Sequence, residues 1–163
     1  AMDFTTLSNI KDWRKKLDNS WEQAFELDGH KWKSVEHFYN ASKFLKSNPD
    51  YYEQFSLESD SELSKDVLQA IAAGSDNGKL GKKQLRPIET NIDEDFYISI
   101  GNNKSRSSKE LQRAIEAKMT QNKDLELMLK ETKNATLKQF RRGKEPIDAK
   151  ELMNVRENLL NSK

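Results

Sequence analysis

Residues 27–44 read LDGHKWKSVEHFYNASKF, and two periodicities meet inside them. Upstream of Ser34, the segment 21–32 (WEQAFELDGHKW) keeps Trp21, Gln23, Phe25 and Leu27 on one parity and breaks at Asp28-Gly29, a pair suited to a two-residue hairpin turn. Two short strands around a tight turn are expected. From Ser34 the apolar spacing changes to three or four, through Val35, Phe38, Ala41 or Ser42, and Leu45. Ser34 can cap this helix, and Glu36 falls in its first turn, where a negative charge suits the dipole. The helix should stop near KSNPD, because Asn48-Pro49 disfavours helical geometry.

Working outward, residues 4–20 carry Leu7, Ile10, Trp13 and Leu17 at helical spacing, with Ser8 or Asn9 as a cap. On the other side, helices are expected over 51–55 and over 61–73. In the latter Leu63, Val67, Leu68 and Ile71 face inward, and Gly74 ends it. Residues 74–87 (GSDNGKLGKKQLRP) read as an ordered basic loop, not a linker. Residues 93–100 (DEDFYISI) suit strand by their aromatic and β-branched content and helix by their acidic start, with helix favoured. Three further helices follow. One begins at Ser107 or Ser108 with Leu111, Ile115 and Met119 in phase, one covers 123–134, and the last, over 149–160, buries Leu152, Val155 and Leu159 or Leu160.

A chain of 163 residues suits one domain over 1–163, and Ala1 ahead of Met2 reads as a leftover of cloning, with excision from a larger protein left open. Charged residues make up 34% and mean hydropathy is −0.96, so the composition is that of a charge-covered chain without a run of about 18 apolar residues. No membrane partner is expected. Cysteine is absent, which excludes disulfides and thiolate chemistry and fits an intracellular, cytoplasmic location. Net charge is +1, so an anion site has to come from local clustering. With two histidines and no HExxH spacing, neither a metal nor another cofactor is expected.

On the helix after Ser34, Glu36 and Lys43 lie seven residues apart, about two turns and roughly 10 Å along one side. Tyr39 and Asn40 stand between them. The plain reading is an ordinary wet face with weak neighbour interactions. His37 points elsewhere and suits a packing role better than general base catalysis. Trp21 and Trp32 flank the hairpin as core or rim residues, or as a stacking surface. Lys79, Lys82, Lys83 and Arg86 lie among glycines that suit anion binding, although GSDNGKLGKK is not a P-loop.

Taken together, Asp28, Gly29, Trp32, Glu36, His37, Ala41, Lys43 and Phe44 resemble the signature of the NADAR, or YbiA-like, family. Leu7-Ser8-Asn9-Ile10 is similar to the family's opening. The resemblance continues through Ala117-Lys118-Met119, Gln121-Asn122, Leu127, Leu129, Ala135, Leu137, Leu152-Met153 and Arg156. It implies a compact α+β fold, mainly α, with a short N-terminal β-hairpin and about six helices. It also implies chemistry on N-glycosides of ribose, such as removal of ADP-ribose from guanine bases or cleavage of phosphorylated riboflavin precursors. On that resemblance Glu36 and Lys43 are the catalytic candidates, and Asn9, Trp32, Tyr39 and Asn40 the substrate-binding ones. Lys82, Lys83, Arg141 and Arg142 are candidates for phosphate. Asn40 stands where the family commonly has glutamine, and the basic segment 137–153 replaces a Trp-Gly-Asp-Gly-like one.

The expected partner is an ADP-ribose-containing or phosphoribosylated small molecule, or a modified nucleic acid. Two other readings stay open. One is a module that binds ADP-ribose or modified nucleic acid without cleaving it. The other is a nucleic-acid-contacting domain of a larger protein, motivated by the basic residues of 79–113 and 138–144.

Overall fold

A computed structural model describes residues 13–99, 104–133, 135–139, 145 and 147–161. Asp28 and Gly29 both take positive φ (53° and 80°), the geometry that joins twisted strands in two residues. Strands β1 (Phe25–Leu27) and β2 (His30–Trp32) therefore pair antiparallel, with Phe25 opposite Trp32 and both buried. Ahead of them lies the short helix α1 (Trp13–Lys16), which buries Trp13, with Leu17 buried just beyond it. Leu7, Ser8, Asn9 and Ile10 lie outside the described residues.

Helix α2 (Val35–Ser42) starts where the change of period places it: the Ser34 side chain accepts the His37 N–H. Val35, Phe38 and Ala41 are buried, but Leu45 is exposed and Phe44 is buried instead. The reason is the tighter turn after Ser42, in which Phe44 N–H bonds the Ala41 carbonyl and Leu45 N–H bonds that of Ser42. Three-residue spacing brings position 44 onto the Ala41 face. Asn48-Pro49 does end this segment and also opens the next, since Asn48 caps α3 (Pro49–Gln54) with Pro49 in its first turn.

After a 3-10 turn (Leu57–Ser59), the single helix expected over 61–73 is two, α4 (Glu62–Lys65) and α5 (Val67–Ala73). Asp66 between them is extended (φ −128°, ψ 110°) and caps α5 through its carboxylate. The break rotates the inward face: Leu68 and Ile71 are exposed, and Ala70, Ala72 and Ala73 are buried. Small residues let α5 lie close against α2. The basic loop carries a small hairpin, β3 (Lys79–Leu80) and β4 (Lys83–Gln84).

Residues 93–99 form neither helix nor strand but a turn around buried Phe96. The Asp93 carboxylate is engaged by the N–H groups of Lys46 and Ser47, so it cannot cap a helix of its own. Helix α6 (Arg106–Gln121), capped by Ser105 and not by Ser107 or Ser108, crosses the centre and packs on α2 and β1. Ile115 and Met119 are buried, and Leu111 packs at the core's edge. Helices α7 (Lys123–Glu131) and α8 (Lys150–Asn161) pack against it, with β5 (Lys138–Gln139) and β6 (Ile147–Asp148) pairing between them. In α8 Leu152 and Val155 are buried, Leu159 packs at the core's edge and Leu160 is exposed.

The architecture is α+β, dominated by helices, with three two-stranded antiparallel sheets among the described residues. Gln121 joins hairpin to bundle by donating to the Glu26 carbonyl and accepting the Glu26 N–H, both at 2.7 Å. No helix among the described residues is long and apolar enough to cross a membrane.

Candidate active site

The site candidates on α2 separate into two faces. His37 points into the core, its Nε2 donating to the Leu63 carbonyl (2.9 Å) while Nδ1 meets Ser34 Oγ (2.7 Å). A carbonyl only accepts, so the proton is on Nε2. Burial lowers its pKa to about 4, and His37 is a neutral packing residue. Trp32 is also inside, with no exposed surface; its indole donates to the Leu27 carbonyl and its ring packs edge-on against Phe38 and Tyr52. It stands in the core, where no part of its ring is exposed. The indole follows from register, since the pairing that buries Phe25 buries its cross-strand neighbour.

The other face gathers Glu36, Tyr39, Asn40 and Lys43. Asn40 is buried and donates from Nδ2 to the Glu36 carbonyl (2.8 Å) and to Glu36 Oε2 (3.1 Å), so it fixes the carboxylate. Glu36 is half-buried, and its own N–H is held by the Asn19 carbonyl (3.0 Å). Burial raises its pKa, against the hydrogen bond from Asn40 and the attraction of Lys43. Lys43 is 7% exposed, and its Nζ donates to the Gly74 carbonyl at 2.8 Å. Burial lowers its pKa, opposed by Glu36 and Asp76 and assisted by Arg86. The two groups attract one another, yet each is moved toward its neutral form by loss of water.

Two phenols complete the arrangement. Lys43 Nζ stands 5.2 Å from the ring centre of Tyr39 and 6.0 Å from that of Tyr97. The two phenols interact electrostatically, and burial raises the pKa of both. Tyr39 is braced by Phe96, and Tyr97 is exposed. A neutral phenol pair over an amine offers donors, acceptors and ring faces to a sugar without adding charge.

Lys82 and Lys83 are exposed at the tip of the β3–β4 hairpin. The buried cation of that loop is Arg86, which sequence reasoning placed among the basic residues but not in the site. Asn9, Arg141, Arg142 and Lys144 lie outside the described residues. Tyr97, Gly74, Asp76 and Arg86 were missed because they reach Lys43 only through tertiary packing. An aromatic pair beside three acids at 93–97 is the one sequence signal that marked Tyr97.

A cleft of about 430 Å3 lies beside this stripe, walled by Trp13, Leu17, Leu111, Ile115, Leu137 and Leu152 and edged by Asp18, Asn19 and Glu151. Glu36 and Lys43 do not line it. It adjoins their helix through Asn19, and the charges of Asp18 and Glu151 are felt at Glu36 and Tyr39. Among the described residues no cluster of three or more His, Asp or Glu side chains is placed to hold a metal.

No protein-family model and no curated protein matches this chain. Among solved structures it is similar to the NMR structure of the E. coli protein YbiA, with a TM-score of 0.63 at 19% identity over 99% of this chain and 88% of that one. The chain has the YbiA-like α+β fold that its signature residues implied, and the likeness is one of fold.

Proposed function

We propose that the chain is an N-glycosidase-type hydrolase of an ADP-ribosyl or phosphoribosyl N-glycoside, with Glu36 and Lys43 as its reacting groups. One observation carries this reading: a half-buried carboxylate and a buried amine share one helix stripe, each moved toward neutrality, with two phenol rings over the amine. Support comes also from the NADAR signature residues, which include Glu36 and Lys43, and from the YbiA-like fold.

Breaking a C1–N bond leaves the electron pair on the departing base nitrogen and builds positive charge at C1 of the ribose. A fixed carboxylate stabilises that charge, and its second oxygen can take or return a proton. Neutral Lys43 then forms a bond to C1 as the base leaves, and its proton passes by way of Glu36 to the departing nitrogen. Ring opening gives a sugar imine on Lys43, which water hydrolyses to free ribosyl product and amine. Tyr39 and Asn40 orient the ribose and the carboxylate, and exposed Lys82 and Lys83 meet phosphate.

The test is release of ADP-ribose from ADP-ribosylated nucleic acid or nucleoside. Lys43→Ala and Glu36→Gln should each abolish release while circular dichroism stays that of the parent. Full activity in both variants overturns the mechanism. Tight calorimetric binding of ADP-ribose by the parent with no product released replaces the hydrolase with a binding module.

A further inference from the structure

We propose that Arg86 is a positioning residue for Lys43, holding the carbonyl ridge on which the Lys43 amine rests and setting a permanent positive charge beside it. This rests on reading Lys43 as the reacting amine. The guanidinium is buried and divides its donors among three carbonyls: Nη1 to Ala73 (2.9 Å) and Ser75 (2.6 Å), Nη2 to Asp76 (3.0 Å). The carbonyl between them, that of Gly74, accepts Lys43 Nζ. Four consecutive carbonyls at the end of α5 are thus shared by two buried cations, three for Arg86 and one for Lys43.

The division follows from shape. A planar fork can bridge several acceptors at once, whereas an ammonium on a flexible stem takes the one it faces. Arg86 is fixed from behind as well, with its Cζ 5.3 Å from the ring centre of Phe44, the residue after Lys43. Gly78 admits it: a Cβ there would stand 2.6 Å from Arg86 Cβ. The turn at Gly78, with φ of 68°, also accepts the N–H groups of Leu85 and Arg86 on its carbonyl, which returns the chain to α5.

The consequence is electrostatic. The groups facing Lys43 are Glu36 and Tyr39 on α2, Tyr97 on the turn, and Asp76 and Arg86 on the loop. Glu36 and Asp76 favour the ammonium, as does the bond to the Gly74 carbonyl. Burial and Arg86 favour the free amine. A cation next to a lysine is a known means of making the amine nucleophilic near neutral pH. Arg86 touches no reacting atom here, so its effect passes through Lys43.

The experiment is a pH titration of the lysine side chains by NMR in the full chain labelled with 13C-lysine, the Lys43 signal being assigned by its loss in Lys43→Arg. In the parent, Lys43 should titrate below the ordinary lysine value. In Arg86→Gln its midpoint should rise, with a matching fall in the neutral fraction near neutrality. In Arg86→Lys, which keeps the charge and loses the fork, the midpoint should stay near the parent's. An unchanged midpoint in a folded Arg86→Gln, or a rise in Arg86→Lys as large as in Arg86→Gln, overturns the proposal. Should Arg86→Gln not fold, Arg86→Met takes its place: a risen Lys43 midpoint there upholds the proposal and an unchanged one overturns it. No step of this uses turnover. A depressed, Arg86-dependent midpoint in a chain whose Lys43→Ala variant remains fully active defeats the hydrolase mechanism and leaves this inference standing.

Discussion

Asn40 occupies the space that a side chain at Gly74 would need: a Cβ built there overlaps the Asn40 amide. The same amide donates to Glu36, and the Gly74 carbonyl accepts Lys43. One backbone approach between α2 and the end of α5 therefore sets both Glu36 and Lys43, the groups proposed to react. Gly74→Ala should destabilise the fold by about 1–3 kcal/mol, because the overpacked amide has no free side to move into. It should also lower turnover more than stability alone explains, read from kcat per folded molecule. A denaturation midpoint within error of the parent's would show that the approach can relax.

Arg106 ties the end of α2 to the 93–99 turn. It donates to Asp93 (3.0 Å), to Asp95 (2.6 Å) and to the Ser42 carbonyl (2.9 Å), while Asp93 takes the N–H groups of Lys46 and Ser47. Arg106→Ala leaves the Asp93 carboxylate, 1% exposed, without its charge partner. Breaking one side of such a pair costs on the order of 3 kcal/mol. Chemical denaturation of Arg106→Ala checks this, and Arg106→Lys should recover less than half, since one ammonium cannot reach three acceptors.

His37 governs part of the acid limb of stability. Its folded pKa of about 4 lies below the 6.5 of an unperturbed imidazole. Between these values the unfolded chain binds more protons, so stability rises with pH there. The contribution is whole above pH 6.5 and is lost as pH falls toward 4. Unfolding free energies of His37→Gln should show a flatter slope over that window than the parent's, and parallel slopes would assign the acid sensitivity to other groups.

Lys118 acts at the opposite end. It is wholly buried on α6, donates to the Asp18 carbonyl at 2.7 Å, and burial pulls its pKa down to about 8. Above pH 8 the folded chain sheds a proton that the unfolded chain keeps until about 10.5, so stability rises with pH across that interval. Below pH 8 the buried charge costs on the order of 3 kcal/mol. Lys118→Met should be at least as stable as the parent at pH 7 and lack the alkaline rise in melting temperature. A rise that persists in Lys118→Met excludes Lys118 as its source.

Local chemistry alone determined the hairpin at Asp28-Gly29, the cap at Ser34, and the two-turn spacing that puts Glu36, Tyr39, Asn40 and Lys43 on one side of α2. Each depends on φ preferences and hydrogen bonds within a few residues, which the order of side chains specifies directly. Tertiary structure decided what that side is worth. Whether Lys43 is a wet lysine or a buried amine depends on Gly74, 31 residues away, and on an arginine in a loop whose composition suggested anion binding or solvated charge. The inward faces of α4 and α5 turned on the extended Asp66, and the exchange of Leu45 for Phe44 on a tightened turn. Helical periodicity projects a face forward only while the helix is unbroken. Desolvation, which moves the Glu36 and Lys43 proton affinities, exists only once distant segments exclude water together.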